Sequence, residues 1–235
     1  MGMGAIMTDR IGLPQLFRLL TWASPAFPTG AFSYSHGIEY AVEEGLVTNA
    51  AQLQDWVDWI VGHGALHADA VLLAHAYRAA EAADSGALDE TVALAAAMRG
   101  TAETALESLQ QGASFFDTAQ AVWPRKRLAA FRKRTGAKPA LPIAVALLCA
   151  GTIPLTETLA AYLHAAMANL ISAGVRLIPL GQTDGQRSIA ALEGAVTAAV
   201  ERARTTALDD LATAAPMVDW TSMRHETQYT RLFRS

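Results

Sequence analysis

The stretch SPAFPTGAFSYSHGIEY, Ser24–Tyr40, gathers the side chains of a hydrolytic site: hydroxyls at Ser33 and Ser35, an imidazole at His36 and a carboxylate at Glu39. A serine nucleophile needs a base beside it and a third group that orients the base. On a helix, His36 and Glu39 stand three apart and can touch. The same residue types also make helix caps and structural hydrogen bonds, and no nucleophile elbow or separate oxyanion motif accompanies them. A Ser/His hydrolase is the alternative reading of the stretch.

Two further patterns touch on chemistry. His63 and His67 are four apart, as helix-borne zinc ligands are, but HExxH and a cysteine partner are absent and Gly64 interrupts the helix, so packing or surface roles are expected. VRLIPLGQTDGQRS leads from an apolar run into glycines, as a phosphate-binding loop does. Such a loop needs four residues between its glycines and then Lys followed by Ser or Thr. Here three residues separate Gly181 from Gly185, and Gln186–Arg187 stand where Gly–Lys belongs. The chain itself is not expected to hydrolyse nucleotide, and no catalytic or metal-binding residue is assigned.

As a contact surface the same residues read more strongly. Phe27, Phe32, Tyr34 and Tyr40 bring large apolar area at small entropic cost, and the prolines pre-order them. The last segment repeats the chemistry with Trp220, Arg224, Tyr229, Arg231, Phe233 and Arg234, types enriched where binding energy concentrates.

The elements that must position these groups are helices. Hydrophobic residues make up 52% of the 235, charged residues 17%, and no stretch alternates with period two for long. The expectation is an all-α, bundle-like domain of nine to ten helices over residues 1–215, followed by a tail, 216–235, that binds a partner. Leu16, Phe17, Leu19 and Leu20 mark one face of a first helix, and a type I turn is expected at Phe27–Gly30. Ser33 or Ser35 is expected to cap a helix from Ile38 to Glu44. Helices are then read over Leu88–Gln111 and Ala113–Val122, and from Ser188 to Leu211 after a GQTDGQ loop.

Net charge is −4, which argues against a general nucleic-acid binder, but residues 1–124 carry −10 and residues 125–235 carry +6. Much of the excess sits in RKRLAAFRKR, Arg125–Arg134, read as a solvated helix face. Pro139–Thr156 and Thr158–Val175 lack Asp, Glu, Lys and Arg but carry prolines or polar residues without aromatic belts, so they are read as buried helices and not membrane spans. Cys149 is read as a small buried hydrophobe. MGMGAIMTDR has neither a signal-peptide core nor a myristoylation pattern, and a cytoplasmic location is expected.

Three stretches in order, SPAFPTGAFSYSHGIE, ISAGVRLIPLGQTDGQ and MRHETQYTRLFRS, with ALESLQQG around Glu107 between them, resemble the signatures of the UreF family of urease accessory proteins. The resemblance implies an all-helical, usually dimeric, non-enzymatic factor in nickel insertion into apo-urease. It implies binding to UreD (UreH) and recruitment and modulation of the GTPase UreG, with nickel and GTP handled by the assembly and no cofactor of its own. Carried over by position, Phe32, Ser33, Tyr34, His36 and Glu39 form one contact group. Gly181, Gln182 and Gln186 form a second, and His225, Tyr229, Arg231, Leu232, Phe233 and Arg234 a third. The tail is expected to order on binding. KPALPIA, Lys138–Ala144, departs from the family's usual aromatic and histidine before the proline.

Overall fold

A computed structural model describes residues 11–235. The residues read above for a leader or lipid signal, 1–10, lie outside that range. The described chain is all α-helical: α1 Leu13–Trp22, α2 Ile38–Glu43, α3 Ala50–His63, α4 Ala65–Ala82, α5 Ser85–Ala97, α6 Ala102–Val122, α7 Lys126–Thr135, α8 Leu141–Cys149, α9 Leu155–Leu177, α10 Gln182–Ala191, α11 Glu193–Thr205 and α12 Pro216–His225, with 3-10 turns at Ala31–Ser33 and Leu208–Asp210. Eleven of the twelve α-helices run nine residues or more, and α2 is a short one of six.

The centre is α4, packed against α3, α5, α8, α9 and α11. Alanines on α4 and α8 let these helices approach closely, and Leu72, Leu73, Ile143, Leu147 and Leu148 fill the space between with essentially no exposure. The long α9 forms the second spine, touching α2, α3, α10 and α11. By length and composition α9 could cross a bilayer, yet half of its most apolar window is buried against the rest of the chain. Cys149 is buried in the same core, which pushes its thiol up to about 12.

Several helix boundaries differ from the sequence reading for physical reasons. Gly112 breaks nothing: α6 runs straight through it, and the missing side chain, which would sit 2.2 Å from the Pro139 carbonyl, lets α6 meet the start of α8. The break falls instead before Thr101, whose hydroxyl caps α6 from the Thr104 N–H at 3.1 Å. GQTDGQ is a helix start and not a loop: Asp184 accepts the Gly181 N–H (3.1 Å) and pairs with Arg187 (2.7 Å). The turn after Phe27 is tighter than type I, with the Thr29 N–H donating to the Phe27 carbonyl at 2.7 Å. Neither serine occupies the N-cap of α2, which is Gly37, though Ser35 Oγ accepts the Glu39 N–H at 3.3 Å.

In the basic stretch Lys126 and Arg132–Arg134 are exposed, as expected, Arg125 and Arg127 are half-buried, and the end of the stretch is paired with the acidic half. Arg132 and Lys138 both reach Asp117, Arg134 reaches Asp89, and Arg132 lies over the Phe116 ring.

Candidate functional site

The opening stretch enters the core at Phe27, whose ring packs on Phe115 at 4.9 Å and near Trp123 at 6.2 Å. From there the chain must reverse sharply to start α2, and it does so through two left-handed residues in succession, His36 (φ 57) and Gly37 (φ 78). Glycine at the second position is obligatory twice over: the φ disfavours a Cβ, and one placed there would lie 2.7 Å from the Ser222 N on α12. A histidine in this conformation is uncommon and is held by its surroundings. His36 Nδ1 lies 3.4 Å from Glu107 on α6, and the ring is buried. Burial works against its charged form, but the hydrogen bond and charge of Glu107 outweigh burial, so its pKa is raised.

This reversal brings Glu39, on the first turn of α2, against the chain end. One oxygen of Glu39 accepts the Leu232 N–H at 2.6 Å, and the other accepts the Phe233 N–H at 2.9 Å. His225, at the end of α12, is wholly buried between two carboxylates. Its Nε2 lies 2.9 Å from Glu39 and its Nδ1 2.8 Å from Glu103. Desolvation raises the Glu103 pKa, opposed by His225 and Arg231, whose Nη1 is 3.0 Å from Glu103.

Glu107 completes the row one turn further along α6. It accepts Ser235 Oγ (2.9 Å) and Gln111 (3.0 Å). Backbone contacts finish the junction: the Arg234 N–H donates to the Ser33 carbonyl at 2.8 Å, and Ser35 donates both its N–H (2.5 Å) and its hydroxyl (2.6 Å) to the Ser235 carbonyl. The last five residues, Arg231–Ser235, are thus docked on the rest of the chain, where ordering on binding was expected, with Glu39, Glu103 and Glu107 accepting from their donors.

The first and third predicted groups are therefore one structure. Of their members, Tyr34, His36, Glu39, His225 and Phe233 are buried, and they build the surface more than they present it. Phe32, Tyr229 and Leu232 are exposed, at 67% for Phe32 and 68% for Leu232. Arg231 and Arg234 are also exposed, and Ser33 partly so. Of the four opening aromatics only Phe32 faces outward. Tyr34 donates to Gln110 at 2.6 Å, and Tyr40 meets Trp220 edge-on and accepts from Arg224 at 3.2 Å. Arg176 of α9 lies between the Phe32 and Phe233 rings, 3.7 and 4.4 Å from their centroids.

Gly181, Gln182 and Gln186 lie exposed on the first turns of α10. No hydrogen bond joins them to the other groups among the described residues. They share a support, since Gly185 packs under Val175 of α9, next to Arg176.

Sequence reading missed Glu103 and Arg176 and gave Glu107 no role. Glu103, Glu107 and Gln111 recur every four residues, a polar stripe down one face of α6 that could have marked a buried network. Arg176 carried no local signal, because its partners are distant in the chain.

The chemistry of this arrangement is structural. Ser35 is spent on Ser235, His36 faces Glu107 and not a serine, and Glu39 holds backbone amides, so the groups of a hydrolytic triad point to other partners. His63 packs against Trp59 with the rings tilted at 40° and their centroids 4.4 Å apart, and His67 is buried, its pKa lowered by burial and then by Arg202 and His63. Among the described residues no three His, Cys, Asp or Glu side chains converge as a metal site would.

The fold and site define an all-helical protein whose buried ionisable groups fix its own chain end beside exposed aromatic and arginine side chains. The UreF family model matches residues 47–193, and the chain is 54% identical over 221 residues to the urease accessory protein UreF of Rhodopseudomonas palustris (strain TIE-1), covering 94% of this chain and 92% of that one. It is 52% identical to the UreF of Granulibacter bethesdensis over 97% of both chains, and 49% identical to that of Bradyrhizobium diazoefficiens over 94% and 91%. The chain belongs to the UreF family.

Proposed function

We propose that the protein is a non-enzymatic accessory factor in urease maturation. It acts as a cytoplasmic scaffold that binds UreD (UreH), recruits and modulates the GTPase UreG, and so serves nickel insertion into apo-urease. Nickel and GTP are handled by the assembly. The family supports the pathway, and one observation supports the mode of action: the Glu39 carboxylate captures two successive amides of the chain end, at Leu232 and Phe233, and thereby fixes the backbone that carries exposed Arg231, Leu232 and Arg234. A surface fixed before encounter loses less entropy on binding than a free tail.

Homodimerisation belongs to the same reading. Leu13, Leu16, Phe17 and Leu20 recur at three- and four-residue steps on α1 and are exposed, an apolar stripe on a helix that packs against α9 and sets Trp22 edge-on to Trp123. A second copy of the chain covers it by the isologous pairing usual for homodimers. Mixing the purified chain with UreD and UreG, with and without GTP, and measuring complex mass tests the scaffold role. Co-assembly of two copies with both partners is expected, and failure to bind either partner refutes it.

A further inference from the structure

Beneath the opening stretch lies a cavity of about 280 Å³, roofed by residues 24–32 and bounded by α6, α8 and α9. Exposed Pro25, His164 and Ser172 mark its mouth. An apolar cavity of about 150 Å³ already holds benzene, so the volume admits a substituted ring. Most of the lining is apolar, with Trp22, Phe27, Phe115 and Val145 among it.

The polar part of the lining is unbalanced. Its two carboxylates are in use. Asp69 holds Arg99 with one oxygen and the Tyr162 hydroxyl with the other, both at 2.6 Å. Glu107 is engaged by Gln111, Ser235 and His36. Its donors are not all in use. Ser108 lines the cavity, is buried, and its hydroxyl has no partner among the described residues. Arg99, with a side chain 7% exposed, lines it too and binds Asp69 through a single nitrogen, leaving Nε without an acceptor. Buried donors without acceptors are costly, and such a wall is completed by a guest that brings oxygens.

We infer that this cavity binds a small organic monocarboxylate, with the carboxylate accepting from Arg99 and Ser108 and the apolar body against Phe27, Phe115 and Val145. Arginine suits the task, because its planar fork can hold Asp69 and a second carboxylate together. A neutral amide of the same shape brings one acceptor oxygen and adds donors the wall cannot use. An amine brings only donors.

The test is calorimetric titration of the full chain with benzoate, benzamide and benzylamine, repeated on Ser108→Ala, Arg99→Lys and Val145→Phe. Benzoate is expected to bind saturably below about 1 mM, and benzamide at least about tenfold more weakly. Ser108→Ala and Arg99→Lys should each weaken benzoate several-fold while the melting temperature of Ser108→Ala stays near wild type. Val145→Phe should abolish binding by filling the apolar part. Absence of saturable benzoate binding overturns the inference. So does benzamide binding equally well, or benzoate affinity unmoved by Ser108→Ala and Val145→Phe, which would place the ligand elsewhere.

Discussion

His225 and Glu39, 186 residues apart in sequence, meet in the interior at 2.9 Å, and the same carboxylate holds the two amides that follow Arg231 and Leu232. A single acidic side chain on a short helix thus couples the beginning of the chain to its end. Its burial is offset by the two backbone amides and the His225 ring that meet its two oxygens.

That coupling makes docking of the chain end depend on pH. The pKa values of His36 and Glu103 are both raised in the folded protein. A raised group contributes stability that is fully present below its ordinary value, about 6.5 for histidine and about 4.3 for glutamate, and is lost as pH rises through the folded value. Both signs agree. Amide exchange at Leu232 and Phe233 should therefore accelerate as pH rises from 6 to 8.5 beyond the intrinsic base-catalysed increase, and His36→Gln should flatten that excess. Protection that is constant after correction contradicts the assignment.

Gly37→Ala should be among the most damaging small substitutions. The left-handed φ costs about 1–2 kcal/mol for a residue with a Cβ, and the methyl group would press on the backbone of α12 at Ser222. A fall in unfolding free energy of about 2–4 kcal/mol is expected from strain and overpacking together. Chemical denaturation measures it. A loss below about 1 kcal/mol, the level of an ordinary surface change, would mean that α12 yields freely.

Phe17→Arg tests the α1 stripe. Phe17 is 72% exposed, so the substitution should leave the melting temperature of the isolated chain nearly unchanged. Self-association, followed by light scattering across concentration, should be lost. Persistent dimers of the variant would move the seam elsewhere.

How far the sequence could be read follows from the range of the forces involved. The all-α class and the placement of α1, α8 and α9 were legible, because helical periodicity and alanine content act locally. The break at Gly112 was misread because its meaning lies in the Pro139 backbone across the packing, which no local pattern encodes. The basic stretch looked solvated for the same reason: Asp89 and Asp117 that pair with it stand in the other half of the chain. At the site, the residue types in the opening stretch and tail were visible. That Glu39 would serve the tail's backbone, and that the tail would be docked, depended on a reversal through His36 and Gly37 that composition does not reveal.

The central claim is that Glu39 organises the partner-binding face, and Glu39→Ala tests it most directly. Removing one member of a buried charged cluster costs about 3–5 kcal/mol locally and should free residues 226–235. Titration of UreD into wild type and Glu39→Ala, with amide exchange run in parallel, gives the decisive comparison. The account predicts that helical circular dichroism survives, exchange protection at Leu232 and Phe233 is lost, and UreD affinity falls at least about tenfold, or 1.4 kcal/mol. Unchanged affinity in a variant whose chain end has come free would contradict it.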